Sequence, residues 1–126
     1  MIFGIGTDIV SIPRIAHALE RHGVRFARRI LAASEQQAFA EAVQPEHFLA
    51  KRFAAKEAAA KAFGTGFVDG LCMSDIAVTH DERGRPLLRF SGRAESLSHE
   101  LGIGEHFLSI SDEKDNAIAY VILMRR

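Results

Sequence analysis

The sequence predicts an α+β fold: a small, mainly antiparallel sheet packed against helices. Two observations carry that expectation. Apolar patterning and turn residues mark out a strand, three or four helices, two strands, a helix and two final strands, an order that does not alternate as a parallel sheet requires. The 126 residues are 48% hydrophobic and 25% charged, enough apolar material for one domain over 1–126 and too much for a disordered chain. Cys72 is the single cysteine, which excludes an internal disulfide and a cysteine-built zinc site. There is no 18-residue apolar run, and Met1 to Val10 lacks a basic start ahead of a long apolar core. No membrane contact and a cytoplasmic location are therefore expected.

Ile2 to Val10 is rich in β-branched residues and reads as a strand. Gly4 and Gly6 lie inside it, and glycine within a strand marks a place where another backbone or a ligand comes close. Arg14 to Glu20 is predicted helical; Gly23 breaks it, and Val24 to Leu31 forms a second short helix. Ser34 with Gln37 three residues on is a capping-box pattern, opening a helix from Glu35 to about Val43. Pro45 suits the first turn of the next helix and Gly64 its C-terminal cap. Between them, Glu46 to Phe63 contains seven alanines and is the strongest helix signal in the chain. Met73 to Thr79 and Leu87 to Phe90 are expected as strands around a turn at Asp81 to Pro86. Ser91 to Leu101, closed by Gly102, reads as a helix, and Phe107 to Ser111 with Ala117 to Met124 as a hairpin around Asp112 to Asn116. The last strand runs eight residues with no polar alternation, so both its faces should be covered. Helices can cover one; the other needs further copies of the chain, or a helix that reaches around.

Three features bear on chemistry. Asp8 lies at the end of the glycine-bearing strand, an uncommon place for an aspartate, which either sits on an exposed face or binds something. On the alanine-rich helix, Leu49, Phe53 and Ala60 define an apolar arc, with Glu57 at its edge and Lys61 one turn on. Two readings stay open there. One is a solvated i,i+4 ion pair worth about 0.2–0.5 kcal/mol; the other is a carboxylate holding a hard cation, with a lysine beside it for a phosphate. Gly64-Thr65-Gly66 follows a helix instead of opening one, so it is no P-loop, although its backbone N–H groups could form an anion nest. Finally, five arginines stand against one acid between Arg14 and Arg29, a local charge of +4 in a chain of zero net charge. Arg14, Arg21, Arg25 and Arg28 would share one helical face if the helix ran through Gly23, or two short basic faces if it breaks; an acidic partner would meet the chain there. The six histidines show no ligand spacing and read as surface or structural.

Gly4-Ile-Gly-Thr-Asp-Ile-Val10, Arg14, Phe53-Ala-Ala-Lys-Glu-Ala-Ala-Ala-Lys-Ala62, Gly64-Thr-Gly66 and Gly84-Arg-Pro86 together resemble the holo-acyl-carrier-protein synthases, the small bacterial type of 4′-phosphopantetheinyl transferase. The resemblance runs from Ile2 to the final strand. It implies that family's fold, and transfer of 4′-phosphopantetheine from coenzyme A to a serine of apo-acyl-carrier protein, releasing adenosine 3′,5′-bisphosphate, in support of fatty acid biosynthesis. It implies Mg²⁺, which Mn²⁺ can replace, held by Asp8 and Glu57, with Glu57 and Lys61 catalytic. Lys61 with Gly64, Thr65 and Gly66 would contact the pyrophosphate. The turn Arg83, Gly84, Arg85 and Pro86 would lie against the adenine. Arg14, Arg21, Arg25 and Arg28 would face the acidic recognition helix of the carrier. A homotrimer with active sites at the subunit boundaries is implied as well. The chain departs from the family pattern at Ser11, where most relatives have glutamate, and at Phe107 and Asp112, where many or some have histidine. His106 would point to the opposite face of its strand from Phe107.

Two other readings compete. A non-catalytic nucleotide or RNA binder would use the arginine face, yet Phe26 is the only aromatic from Arg14 to Arg29 and the Asp8 and Glu57 pair would have no role. No nucleic-acid partner is therefore expected. A transferase of the same chemistry serving a different carrier domain is compatible with every residue named.

Overall fold

In the computed structural model, which describes Met1–Arg126, the chain is organised around one alanine-rich helix. Strand β1 (Ile2–Ser11) leads into α1 (Ile12–His22) and α2 (Val24–Ile30). A 3₁₀ turn at Ala33–Glu35 and the short α3 (Gln36–Ala40) precede α4 (Pro45–Phe63). A second 3₁₀ turn, Met73–Asp75, opens β2 (Ile76–His80), followed by β3 (Pro86–Phe90), α5 (Gly92–Glu100), β4 (Ile103–Asp112) and β5 (Asn116–Arg125). β1, β5 and β4 form an antiparallel sheet with β5 in the centre, and β2 pairs with β3 as a separate antiparallel hairpin. The expected α+β architecture is the one observed.

Helix α4 sets the geometry of everything around it. Ala54, Ala55, Ala58, Ala59, Ala60 and Ala62 are each 2% exposed or less. Short side chains let the helix backbone approach the sheet, and the strand answers with glycine. A Cβ added at Gly6 would lie 1.9 Å from the Ala58 carbonyl oxygen, and one at Gly4 would lie 2.1 Å from that of Ala62. The close approach anticipated at these glycines is therefore by a backbone. Strand alternation then places Gly4, Gly6 and Asp8 on the helix side, opposite the buried Leu123, Val121 and Ala119 of β5. Ile5, Ile9, Phe107, Ile118 and Tyr120 share the other face, and each is at least 42% exposed. No helix of the chain reaches around to this face, so β5 is covered on one side only.

Several boundaries differ from the sequence expectation. α1 starts at Ile12 because the Ser11 hydroxyl accepts the Arg14 N–H at 3.4 Å and Pro13 fits the first turn. The helix expected from Glu35 to Val43 shrinks to Gln36–Ala40. Ser34 is exposed and caps nothing; the Glu35 carboxylate turns inward and accepts the Ala32 N–H at 2.8 Å. β2 begins at Ile76, since Met73–Asp75 is a tight turn. β4 begins at Ile103, ahead of the expected Phe107, with an irregular register between Ile103 and His106.

Candidate active site

The contact between β1 and α4 brings Asp8 beside Lys61 and Glu57. Lys61 Nζ donates to Asp8 Oδ1 at 3.1 Å and to the Thr7 carbonyl at 3.0 Å. Lys61 thus pairs across to the strand, and the solvated Glu57 to Lys61 pair does not form. The lysine is more than half exposed, so this ion pair is worth only about 0–1 kcal/mol and is easily exchanged for another anion. Glu57 makes no salt bridge. Burial pushes its carboxyl above the ordinary 4.5, the charge of Asp8 adds to that, and Lys61 offsets it only in part. Asp8, Ser11, Arg14, Phe53 and Glu57 line one groove of about 270 Å³. Two carboxylates that repel each other in a half-buried groove form a hard-oxygen donor set, with Lys61 paired to Asp8 and no salt bridge on Glu57. No third His, Cys, Asp or Glu joins them, which suits a cation that draws its remaining ligands from phosphate and water.

The basic segment breaks at Gly23 (φ +61°), so it forms two short faces and not one continuous one. Arg14 reaches the carboxylate groove, whereas Arg21 on α1 and Arg25 and Arg28 on α2 are exposed. None of these four, nor Arg29, makes a salt bridge. Such a surface attracts acidic partners over the range of a Debye length.

Beyond α4 the glycine-rich segment does less than a nest would. Gly64 caps the helix in the left-handed conformation (φ +85°), with its N–H on the Lys61 carbonyl at 3.0 Å. The Gly66 N–H is spent on the Ala60 carbonyl at 3.3 Å. Of the three N–H groups expected to face an anion, only that of Thr65 stays free of a backbone bond. The Arg83 to Pro86 turn is held by Asp81, whose carboxylate accepts the N–H groups of Arg83 and Arg85, each at 2.9 Å. Those bonds, led by that of Arg85, keep Asp81 below its ordinary value. Gly84 and Pro86 line a second groove of about 300 Å³ together with Phe48, Lys51, Arg52 and His80, while Arg83 and Arg85 lie outside its wall. Lys51, Arg52 and His80 were not singled out by sequence reasoning; the adjacent cations just ahead of Phe53 are the signal that marks them. Burial, with Arg52 and Lys51 nearby, holds His80 below the ordinary histidine value.

The three departures from the family pattern have visible roles. Ser11 caps α1. Phe107 lies on the exposed apolar face, whereas His106 points the other way and packs on the Phe90 ring, with centroids 4.9 Å apart. Asp112 pairs with His47 Nδ1 at 3.1 Å.

Known proteins are similar to this chain over nearly its whole length. Residues 4–121 match the model of the 4′-phosphopantetheinyl transferase superfamily. The holo-acyl-carrier-protein synthase of Halorhodospira halophila is 56% identical over 124 residues, which cover 98% of each chain. The crystal structure of the same-named protein from Neisseria meningitidis superposes with a TM-score of 0.95 at 43% identity, over 99% of this chain and 100% of that one. The holo-acyl-carrier-protein synthase of Bacillus anthracis, solved in complex with CoA (3′,5′-ADP), gives a TM-score of 0.83 at 37% identity over 100% and 99% of the two chains.

Proposed function

We propose a mechanism from one premise: the chain belongs to the 4′-phosphopantetheinyl transferase superfamily. Its reaction is that of a holo-acyl-carrier-protein synthase, transferring 4′-phosphopantetheine from coenzyme A to a serine of apo-acyl-carrier protein and releasing adenosine 3′,5′-bisphosphate. The observation that carries this to particular residues is the convergence of Asp8 and Glu57 on one groove, from segments far apart in sequence, with Lys61 bonded to Asp8.

Asp8 and Glu57 would hold Mg²⁺, or Mn²⁺ in its place, and that ion would neutralise the pyrophosphate and align the leaving group. Glu57, or a water that it orients, would take the serine proton as the serine oxygen attacks the β-phosphorus. The bond from that phosphorus to the bisphosphate oxygen breaks, and Lys61, released from Asp8, stabilises the charge that leaves. Thr65, with an N–H free of any backbone bond, would contact the pyrophosphate. The groove of Lys51, Arg52 and His80 beside Gly84 and Pro86 suits a phosphorylated adenosine better than the exposed Arg83 and Arg85 do. Arg14, Arg21, Arg25 and Arg28 would meet the acidic helix of the carrier, with Arg14 nearest the chemistry.

The exposed apolar face of the sheet supports a homotrimer with shared active sites, for which light scattering should give three times 13.9 kDa. A cytoplasmic location and a place in fatty acid biosynthesis belong to the same proposal; no helix is long and apolar enough to cross a membrane. The deciding experiment incubates the protein with coenzyme A, Mg²⁺ and apo-acyl-carrier protein and weighs the carrier. A gain of one phosphopantetheine group is expected. No gain on any carrier domain would overturn the proposal.

A further inference from the structure

Three charged side chains lie inside the fold, and only Arg52 among them also lines a groove described above. Glu35, Arg52 and Lys56 are 2%, 9% and 0% exposed. Lys56 Nζ uses its three protons on Glu35 Oε1 at 2.6 Å, the Ile30 carbonyl at 2.6 Å and the Met73 carbonyl at 3.1 Å. Arg52 Nη1 donates to Glu35 Oε2 at 2.8 Å and to the Val78 carbonyl at 2.6 Å. Glu35 also accepts the N–H groups of Ala32 and Val78, and no buried side-chain nitrogen or oxygen is left without a partner. A buried ion cluster of this kind gives little stability over apolar side chains of the same volume. What it does fix is direction, because each donor must meet a particular carbonyl.

The carbonyl of Ile30 is the revealing acceptor. Ile30 is the last residue of α2, a seven-residue helix too short to persist by itself, and α2 carries Arg25 and Arg28. Lys56 immediately precedes Glu57 on α4. We propose that Lys56 is a positioning residue: by holding the end of α2 from inside α4, it sets the distance between the arginines that grip the acidic carrier and the carboxylate at which the carrier serine reacts. The inference rests on the carrier-binding reading of the arginine faces. It assigns Lys56 to the carrier and not to coenzyme A.

Lys56→Met keeps the unbranched side chain to within one atom of its length and removes its charge. It should raise KM for the carrier roughly tenfold or more while KM for coenzyme A stays within about twofold, as expected for displacement of one binding surface. Because Glu35 keeps its pair with Arg52, Lys56→Met leaves no unbalanced charge inside, and the variant should stay folded while its carrier KM stays raised. Arg28→Ala should then cost less in the Lys56→Met background than in the parent. A merely structural role predicts the reverse: carrier KM stays at the parent value in the folded variant, or both KM values rise together. Either result would overturn the proposal. Hydrogen exchange at the α2 amides gives a readout independent of activity. Protection should fall in Lys56→Met, or in Lys56→Gln if Lys56→Met does not fold, and unchanged protection overturns the inference. If the parent protein modifies no carrier, the functional reading fails, and hydrogen exchange still decides the role of Lys56 in holding α2.

Discussion

Replacing Gly6 with alanine probes the contact on which the whole site depends. The new Cβ would lie 1.9 Å from the Ala58 carbonyl oxygen and 2.7 Å from the Ala62 nitrogen. Carbon and oxygen do not approach within 3.0 Å, so β1 and α4 must part by at least about 1 Å. Neither side can yield locally, because the atoms met are helix backbone and Gly6 is paired to Val121 in the sheet. Overpacking of this kind costs about 1–3 kcal/mol, and two rigid backbones put Gly6→Ala at the upper end. For a chain of this length that is a fall in Tm of roughly 10 °C or more. The same displacement carries Asp8, two residues along the strand, away from Glu57 and Lys61. A 1 Å misplacement in a site costs up to about 10²-fold in rate. Denaturant unfolding and carrier modification, both at matched protein concentration, would measure the two effects. Gly104→Ala is the control, since its Cβ meets the terminal Arg126, which can move, at 3.1 Å and beyond. A Gly6→Ala protein within about 0.5 kcal/mol of the parent and fully active would refute the packing role given to this glycine.

Three further outcomes are expected. Asp8→Ala and Glu57→Ala should each lower turnover by roughly two orders of magnitude or more in a protein that stays folded, and a chelator should abolish parent activity until Mg²⁺ or Mn²⁺ is returned; full activity of either variant removes that residue from the mechanism. Arg21→Ala should raise KM for the carrier and leave that for coenzyme A unchanged, with carrier binding weakening as salt is added, whereas loss of coenzyme A binding would reassign the arginine face. Stability should fall with acid in two windows. Burial holds His106 below 6.5, so its contribution is present above that pH and is lost as pH falls below it. Burial alone would raise Glu35, but Lys56, Arg52 and the Ala32 N–H outweigh it and hold the carboxyl below 4.5, so its contribution is lost only as pH drops under 4.5. His106→Phe should shrink the upper window, which His80 shares, in a pH-dependent melting series, and Glu35→Gln the lower, which Asp81 shares; an unchanged profile in both would mean that other groups govern acid unfolding.

What the sequence discloses and what it hides divide along a physical line. α4, its proline start and its glycine cap are legible because propensity and capping are local. The Ser11 and Pro13 signals at the head of α1 are equally local, and the prediction of a helix starting at Arg14 passed over them. The glycines of β1 announce a close approach but not by what, since a helix backbone and a ligand leave the same trace; only the fold shows that Ala58 and Ala62 are what they meet. Glu35 and Lys56 defeat pattern reading more completely. On an alanine-rich helix a lysine reads as solvated, and nothing within one turn of Lys56 hints that its partner stands at Glu35, across a chain reversal. Charge buried by tertiary contact has no periodicity to betray it. β5 shows the converse. Its lack of alternation predicted two covered faces, and the single chain covers one, leaving Ile118 and Tyr120 in the open beside Ile5, Ile9 and Phe107. A sheet whose outer face is as apolar as its inner one is written for a cover that lies outside the chain. In the proposed homotrimer a further copy of the chain would be that cover, meeting β1 through Ile5 and Ile9 while Asp8 faces α4 from the other side of the strand.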